Sequence, residues 1–284
     1  MGVFNYNIEK YSPKQLVVIP LVILVISVVL LALNMVSTGM PVTPGIDFSG
    51  GTAVTLFTTD TKEQLQSTFT GYPLVDISEG VNNGYFLKFG AMDDTEFRSL
   101  SALIYQKFPD AKVDQIGETF GKTLQSQAVL ALVFSFIGMA IVIFVAFRTF
   151  VPSVAVVLSA FADMVMTAAT MNIVGIPLSL GTLAALLMLI GYSVDSDILL
   201  TNRVLKRQGK LNEKLTGAFR TGIIMTSTTL AAAAAMFIVA WFGSVLILME
   251  ISAVLLIGLV FDVMNTWLTN VGILKWYVLK GGGK

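Results

Sequence analysis

Five carboxylates interrupt long apolar runs where a helix would leave little room for them: Asp163, Asp195, Asp197, Glu250 and Asp262. A charged group at the centre of a bilayer costs roughly 2.5–3.5 kcal/mol on insertion scales, so such a carboxylate needs a partner, a proton or water. The chemistry open to it is the uptake and release of a proton or the holding of an ion. The chain has no Cys and no His. That removes thiol catalysis, disulfides, thiolate metal sites and the side chain that titrates near neutral pH. Proton chemistry falls to carboxylates. No nucleophile with a base, no metal-ligand set and no cofactor motif is present, so neither an enzyme nor a bound cofactor is expected.

The elements that must position these acids are membrane helices. Of 284 residues, 55% are hydrophobic and 13% charged, about half the charge of an ordinary soluble domain. The mean hydropathy is +0.80. Basic and acidic residues balance at 18 each, so no overall field attracts nucleic acid. Apolar runs of spanning length predict six helices, at 15–35, 125–147, 150–171, 177–201, 220–241 and 245–268. The stretch 271–279 is too short to span and carries Lys275, which predicts an interfacial tail within a C-terminal segment 269–284. Lys10, Lys14, Arg148, Arg203, Lys206, Arg207, Lys210, Lys214, Arg220, Lys275, Lys280 and Lys284 all fall on one side of this six-helix arrangement. The segment 1–14 and the C-terminal tail are therefore expected in the cytosol.

Residues 36–124, between the first two spans, read as a folded domain on the opposite side of the membrane. Alternation at 52–57 predicts a strand. Asp60 with Glu63 resembles a capping box opening a helix through Phe69. Strands follow near 74–77 and 85–89, joined by a turn at 80–84. Phe97, Leu100, Ile104 and Phe108 recur at helical spacing, and 111–116 supplies a last strand. The order βαββαβ is ferredoxin-like. With six basic and eleven acidic residues and no catalytic constellation, the domain reads as a docking module. One six-helix unit with an insert after its first helix looks like half of a pseudo-symmetric transporter, which predicts a partner.

Depth along the helices sorts the acids. At 1.5 Å per residue, Asp195 lies roughly 9 Å and Asp262 roughly 8 Å from their span centres, toward the cytosol. Asp163 sits near the middle of its span. Glu250 falls in the first turns of the sixth helix, where the dipole favours an acid. Asp197 faces away from Asp195, because residues two apart do not share a helix face; it is either a second candidate or a residue nearing the cytosolic surface. Asp195 is the leading candidate. It stands in the polar run Gly191-Tyr192-Ser193-Val194-Asp195-Ser196-Asp197, and Arg220 would open the fifth helix ahead of Thr226-Ser227-Thr228-Thr229. The alternative is static polar glue between helices that approach through small residues such as Gly181 and Ala231 to Ala235.

Three ordered motifs carry a resemblance. Gly45-Ile46-Asp47-Phe48-Ser49-Gly50-Gly51-Thr52 resembles the signature of the SecD and SecF protein-export subunits, Gly191 to Arg203 resembles the helix-4 motif of SecF, and Arg220-Thr221 leading into Thr226 to Thr229 resembles the start of the family's helix 5. The likeness is greatest to the archaeal branch of SecF. It implies a plasma-membrane subunit that pairs with a SecD-like subunit and the Sec translocation channel. There it assists a translocating polypeptide from the outer side, coupled to protons or sodium ions, in a complex related to resistance-nodulation-division transporters. It also implies ion coupling for the helix-4 acids and Arg220. Bacterial SecF carries its helix-4 Asp where this chain has Ser196, so the role passes to Asp195 or Asp197. In the motif Gly45, Asp47, Gly50, Gly51, the paired glycines permit a tight turn from helix to strand that orients the domain. A small-molecule or lipid exporter half and a non-transporting assembly factor are the rival readings.

Overall fold

The computed structural model describes residues 10–281; the ends of the predicted segments 1–14 and 269–284 lie outside them. Six helices are long and apolar enough to span a membrane: α1 (Pro13–Thr38), α5 (Glu118–Phe147), α6 (Phe150–Val174), α7 (Leu180–Lys206), α8 (Leu211–Phe242), and a sixth that runs from Leu246 to Leu279. The sixth is built of α9 (Leu246–Met264), a π-helical turn (Asn265–Asn270) and α10 (Val271–Leu279). The chain is a multi-pass membrane protein. Helices α6 and α7 bury most of their length and form the centre, while α1, α5 and α8 expose most of theirs. Small residues on α6, Ala155, Ala160, Ala162 and Ala169, are almost fully buried and let neighbouring backbones approach where no hydrophobic effect drives helices together.

The spans begin or end earlier or later than hydropathy alone indicates, because polar turns continue the helices. Helix α8 starts at Leu211, so Arg220 lies well inside it rather than opening it. Helix α7 runs on through Arg203 and Lys206 in its last turn, where cations complement the dipole. Much of the basic loop foreseen between them is thus helical. The stretch Val271–Leu279 is not a separate interfacial tail but the helical continuation of α9. Gly272 admits it against Leu16 and Pro13 at the start of α1, and the Lys275 Nζ donates to the Tyr11 carbonyl at 2.7 Å.

The inserted domain has the ferredoxin-like order β1 (Gly51–Phe57), α3 (Lys62–Thr68), β2 (Leu74–Glu79), β3 (Gly84–Phe89), α4 (Asp94–Lys107) and β4 (Lys112–Ile116). The strands lie in the order β2-β3-β1-β4, every pair antiparallel. Val54, Leu56, Leu87 and Phe89 pack against Leu65, Phe69, Leu100 and Ile104 of the two helices in a core of its own. The cap of α3 sits one residue later than Asp60: the Thr61 hydroxyl accepts from the Gln64 N–H, and the Gln64 side chain accepts from the Thr61 N–H at 2.8 Å. The sheet face away from these helices overlies the bundle. There the Lys88 ammonium lies 4.0 Å from the Glu250 carboxylate, and the Ser244 hydroxyl donates to the Val81 carbonyl at 3.0 Å.

The Gly-rich motif forms the hinge between domain and bundle. Ile46–Ser49 make a single turn, α2, beside the start of α5. Asp47 Oδ2 accepts the N–H of Leu180, the first residue of α7, at 2.7 Å, so an acid from one element caps the exposed dipole end of another. Phe48 is 2% exposed in the bundle core. Gly50 and Gly51 adopt φ of 75° and 137°, and a Cβ on Gly50 would stand 2.8 Å from the Glu118 Cα. Both the left-handed backbone and the close approach require glycine there.

A buried carboxylate layer as the candidate functional site

Three of the five membrane carboxylates meet. Asp163 of α6, Asp197 of α7 and Asp262 of α9 are each at most 1% exposed. Asp163 is near the middle of α6, and Asp262 stands midway along Leu246–Leu279. They lie between two apolar cores, one toward the domain with Leu183, Leu186 and Val254, the other at the far end with Leu200, Val204 and Trp267.

The residues that hold them come largely from the π turn. A π turn fits one more residue per turn than an α-helix and is common at functional sites; here Asn265, Thr266, Thr269 and Asn270 are all buried. Asn265 Nδ2 donates to Asp163 Oδ1 at 2.6 Å and Asn270 Nδ2 to Asp197 Oδ1 at 2.7 Å. The Thr266 hydroxyl lies 2.9 Å from Asp197 Oδ1 and 3.2 Å from Asp262 Oδ1. Ser193 of α7 donates to Asp163 Oδ2 at 2.6 Å, and Thr269 to Asn265 Oδ1 at 3.1 Å. One turn of the sixth helix thus wires together carboxylates from three helices. Among the described residues no lysine or arginine ion-pairs with any of them, and no group of three acids is arranged to chelate a metal.

Asp195 and Asp197, two residues apart, separate as helix geometry requires. Asp197 is fully buried rather than nearing a surface, whereas Asp195 is exposed on α7. With Tyr192, Ser196, Thr226, Thr228 and Thr229, Asp195 lines a cavity of about 280 Å³ between α7, α8 and α9 that reaches Asp262. The hydroxyl run of α8 and the polar run of α7 therefore line one cavity, which joins the buried layer to the surface. Arg220 is exposed on α8; basic side chains that tie α7 to α8 are Arg203, whose Nη2 donates to Thr221 Oγ1 at 2.7 Å, and Lys214, whose Nζ donates to the Val204 carbonyl at 3.2 Å. Glu250 stands under the inserted domain with Lys88, and more than a helix dipole holds it. Sequence reading missed Asn265, Thr266 and Asn270. Their signal was a cluster of four polar residues in six, straddling the end of the predicted span at residue 268.

Comparison with known proteins agrees with this architecture. The C-terminal family model of the SecD/SecF protein export membrane proteins matches residues 97–280. A protein-export membrane protein SecF from Methanolacinia petrolearia is 61% identical over 99% of this chain and 100% of its own. One from Haloferax volcanii is 42% identical over 96% and 95% of the two chains. The crystal structure of SecDF, a translocon-associated membrane protein from Thermus thermophilus, superposes with a TM-score of 0.75 at 21% identity. That match covers 94% of this chain and 38% of the SecDF chain.

Proposed function

The chain belongs to the SecD/SecF family of protein-export membrane proteins, and from that premise we propose that it is a SecF-like accessory subunit that turns ion movement into work on a polypeptide leaving the Sec channel. A SecD-like subunit supplies the other pseudo-symmetric half, as expected of a chain whose fold matches little more than a third of a SecDF chain. The inserted domain lies outside the plasma membrane and both termini lie in the cytosol. The basic residues Arg148, Arg203, Lys206, Arg207 and Lys210, all at the bundle end away from the domain, support that orientation.

The observation that carries the coupling is the carboxylate layer wired by the π turn. A cation reaching it through the Asp195 cavity changes the charge that Asn265, Thr266 and Asn270 stabilise, and with it the packing of the sixth helix against α6 and α7. The same helix begins under the inserted domain at Glu250, so its movement is delivered where the domain docks. One elementary charge crossing the membrane supplies about 2.3 kcal/mol per 100 mV, enough to bias two conformations of a packed interface. Asp197 and Asp262 hold the coupling charge, Asp163 anchors the layer to α6, and Asp195 lines the access route.

The test is gradient-stimulated export in membranes carrying Asp197→Asn or Asp262→Asn, with recovery of the SecD-like subunit measured in parallel. Stimulation is expected to vanish while the complex still assembles. Undiminished stimulation in both variants overturns the coupling role. Loss of assembly together with export would favour a static structural role for the acids.

A further inference from the structure

The outer face between α5 and α6 holds a slot of about 590 Å³ lined only by apolar side chains, among them Val133, Phe136 and Phe144 of α5 and Val154, Leu158 and Phe161 of α6. The two helices touch near the turn that joins them, where Ile143 and Phe147 pack on Val156. From Val154 near that turn the lining extends to Met164, beside Asp163 at the middle of α6. At 1.5 Å per residue this is roughly 15 Å, the depth of one leaflet in a hydrocarbon core of roughly 30 Å. Phe136 and Phe161 line it with rings edge to face, their centroids 6.1 Å apart. At its mouth stands Arg148, whose N–H donates to the Phe144 carbonyl at 3.0 Å. Arg148 is exposed and, among the described residues, its side chain forms no ion pair. The Thr149 side chain does not cap α6, so the positive end of that helix adds to the charge at the same turn.

We propose that this slot holds one membrane lipid with an anionic phosphate headgroup, its hydrocarbon chain between α5 and α6 and its phosphate on Arg148. Apolar lining alone would select nothing, since a lipid chain gains no hydrophobic free energy by leaving the bilayer for an equally apolar groove. Charge complementarity at the mouth does select. A basic pocket between membrane helices at the surface is a headgroup site, and the planar fork of an arginine pairs with phosphate oxygens. The rim separates a lipid from a protein helix. Helices associate in membranes through small residues that let backbones approach, and the face of this chain with that character is on α8, where Ala231, Ala232 and Ala235 are exposed. Exposed Phe144, Leu158 and Phe161 instead flank the slot, leaving width for a flexible hydrocarbon chain. Helix α5 has most to gain from it. It leads from the inserted domain back into the membrane, buries little of its length, and begins where Gly50 of the hinge abuts Glu118. A lipid in the slot supplies packing that α5 otherwise lacks. This inference stands apart from the coupling reading.

The experiment is native mass spectrometry of the purified, delipidated full-length chain in detergent, with the unfolding midpoint read in parallel. It is titrated with phosphatidylglycerol or with phosphatidylcholine of the same chains. One phosphatidylglycerol is expected to bind saturably and raise the midpoint, and phosphatidylcholine to bind several-fold more weakly. Arg148→Gln should weaken phosphatidylglycerol binding about fivefold, the share of one basic residue near the surface, and Arg148→Lys should keep most of it. Leu158→Trp should abolish binding of both lipids by filling the slot, yet hold the lipid-free midpoint, because its side chain points outward. Val22→Trp, at an exposed position of α1, should bind as the parent does. Equal affinity for the two lipids overturns the site, as does undiminished phosphatidylglycerol binding in Arg148→Gln or Leu158→Trp. A chain that binds neither lipid also overturns it; loss of the SecD-like subunit from membranes carrying Leu158→Trp would then assign the slot to a protein helix.

Discussion

Thr266 is the smallest group on which the buried layer depends, because its hydroxyl touches acids of two helices. Thr266→Val removes that contact without changing volume. The lost partner at a buried carboxylate oxygen should cost about 1–3 kcal/mol, read as a lower unfolding midpoint, and Thr266→Ser should restore most of it. A Val variant as stable as the parent would show that the bridge contributes nothing. Asp47 acts by the same logic at a helix end. Asp47→Ala should cost roughly 0.5–2 kcal/mol and Asp47→Asn less, since the amide oxygen can still accept the Leu180 N–H; equal midpoints for all three would dismiss the cap. The acids were legible as single residues, because charge in an apolar run is visible in composition. Which of Asp195 and Asp197 turns inward was not, since opposite faces of one helix are distinguished only by what packs there.

At the scale of elements, the π turn decides how the sixth helix presents its polar residues, and Trp267 braces it. The ring packs edge-on to Phe219 at a centroid distance of 5.0 Å and fills the space over Gly222 of α8, where a Cβ would collide with it. Gly222→Ala should therefore cost about 1–3 kcal/mol by overpacking. It should also shift the fluorescence of Trp267, measured with Trp241 and Trp276 replaced by Phe; an unshifted spectrum and midpoint would mean that the turn yields freely. Helix existence was readable from hydropathy, and the βαββαβ order of the insert from alternation, turn residues and helical spacing. Helix ends were not. The polar turns 118–124, 202–206 and 211–219 are helical where neighbouring side chains satisfy them, as Lys122 does Glu118, Arg203 does Thr221 and Lys214 does the Val204 carbonyl, and no hydropathy scale scores that.

At the scale of the whole molecule, the inserted domain is tied to the bundle by the Gly-rich hinge and by contacts over the start of α9. Lys88 and Glu250, with side chains 25% and 12% exposed, make the charged part of that contact. Lys88→Glu should set like charges together and speed amide exchange in β3 and the first turns of α9. The change should be modest, up to roughly fivefold, because such pairs are worth about 0.2–1 kcal/mol. Combining it with Glu250→Lys should restore the parent rate. Failure of the swap to rescue would mean that Ser244 and the hinge alone seat the domain.

The amino-acid sequence by itself determined that the chain is a six-helix membrane protein with a ferredoxin-like insert, because spanning length, alternation and turn chemistry are local properties written residue by residue. It also determined that proton chemistry falls to carboxylates, because the chain has no Cys or His. Tertiary structure decided which carboxylates act together. Asp163, Asp197 and Asp262 come from three helices separated by tens of residues, and Asn265, Thr266 and Asn270 join them only because a π turn places four polar side chains inward at one depth. Helix packing, not spacing along the chain, brings an oxygen from each helix to one buried charge.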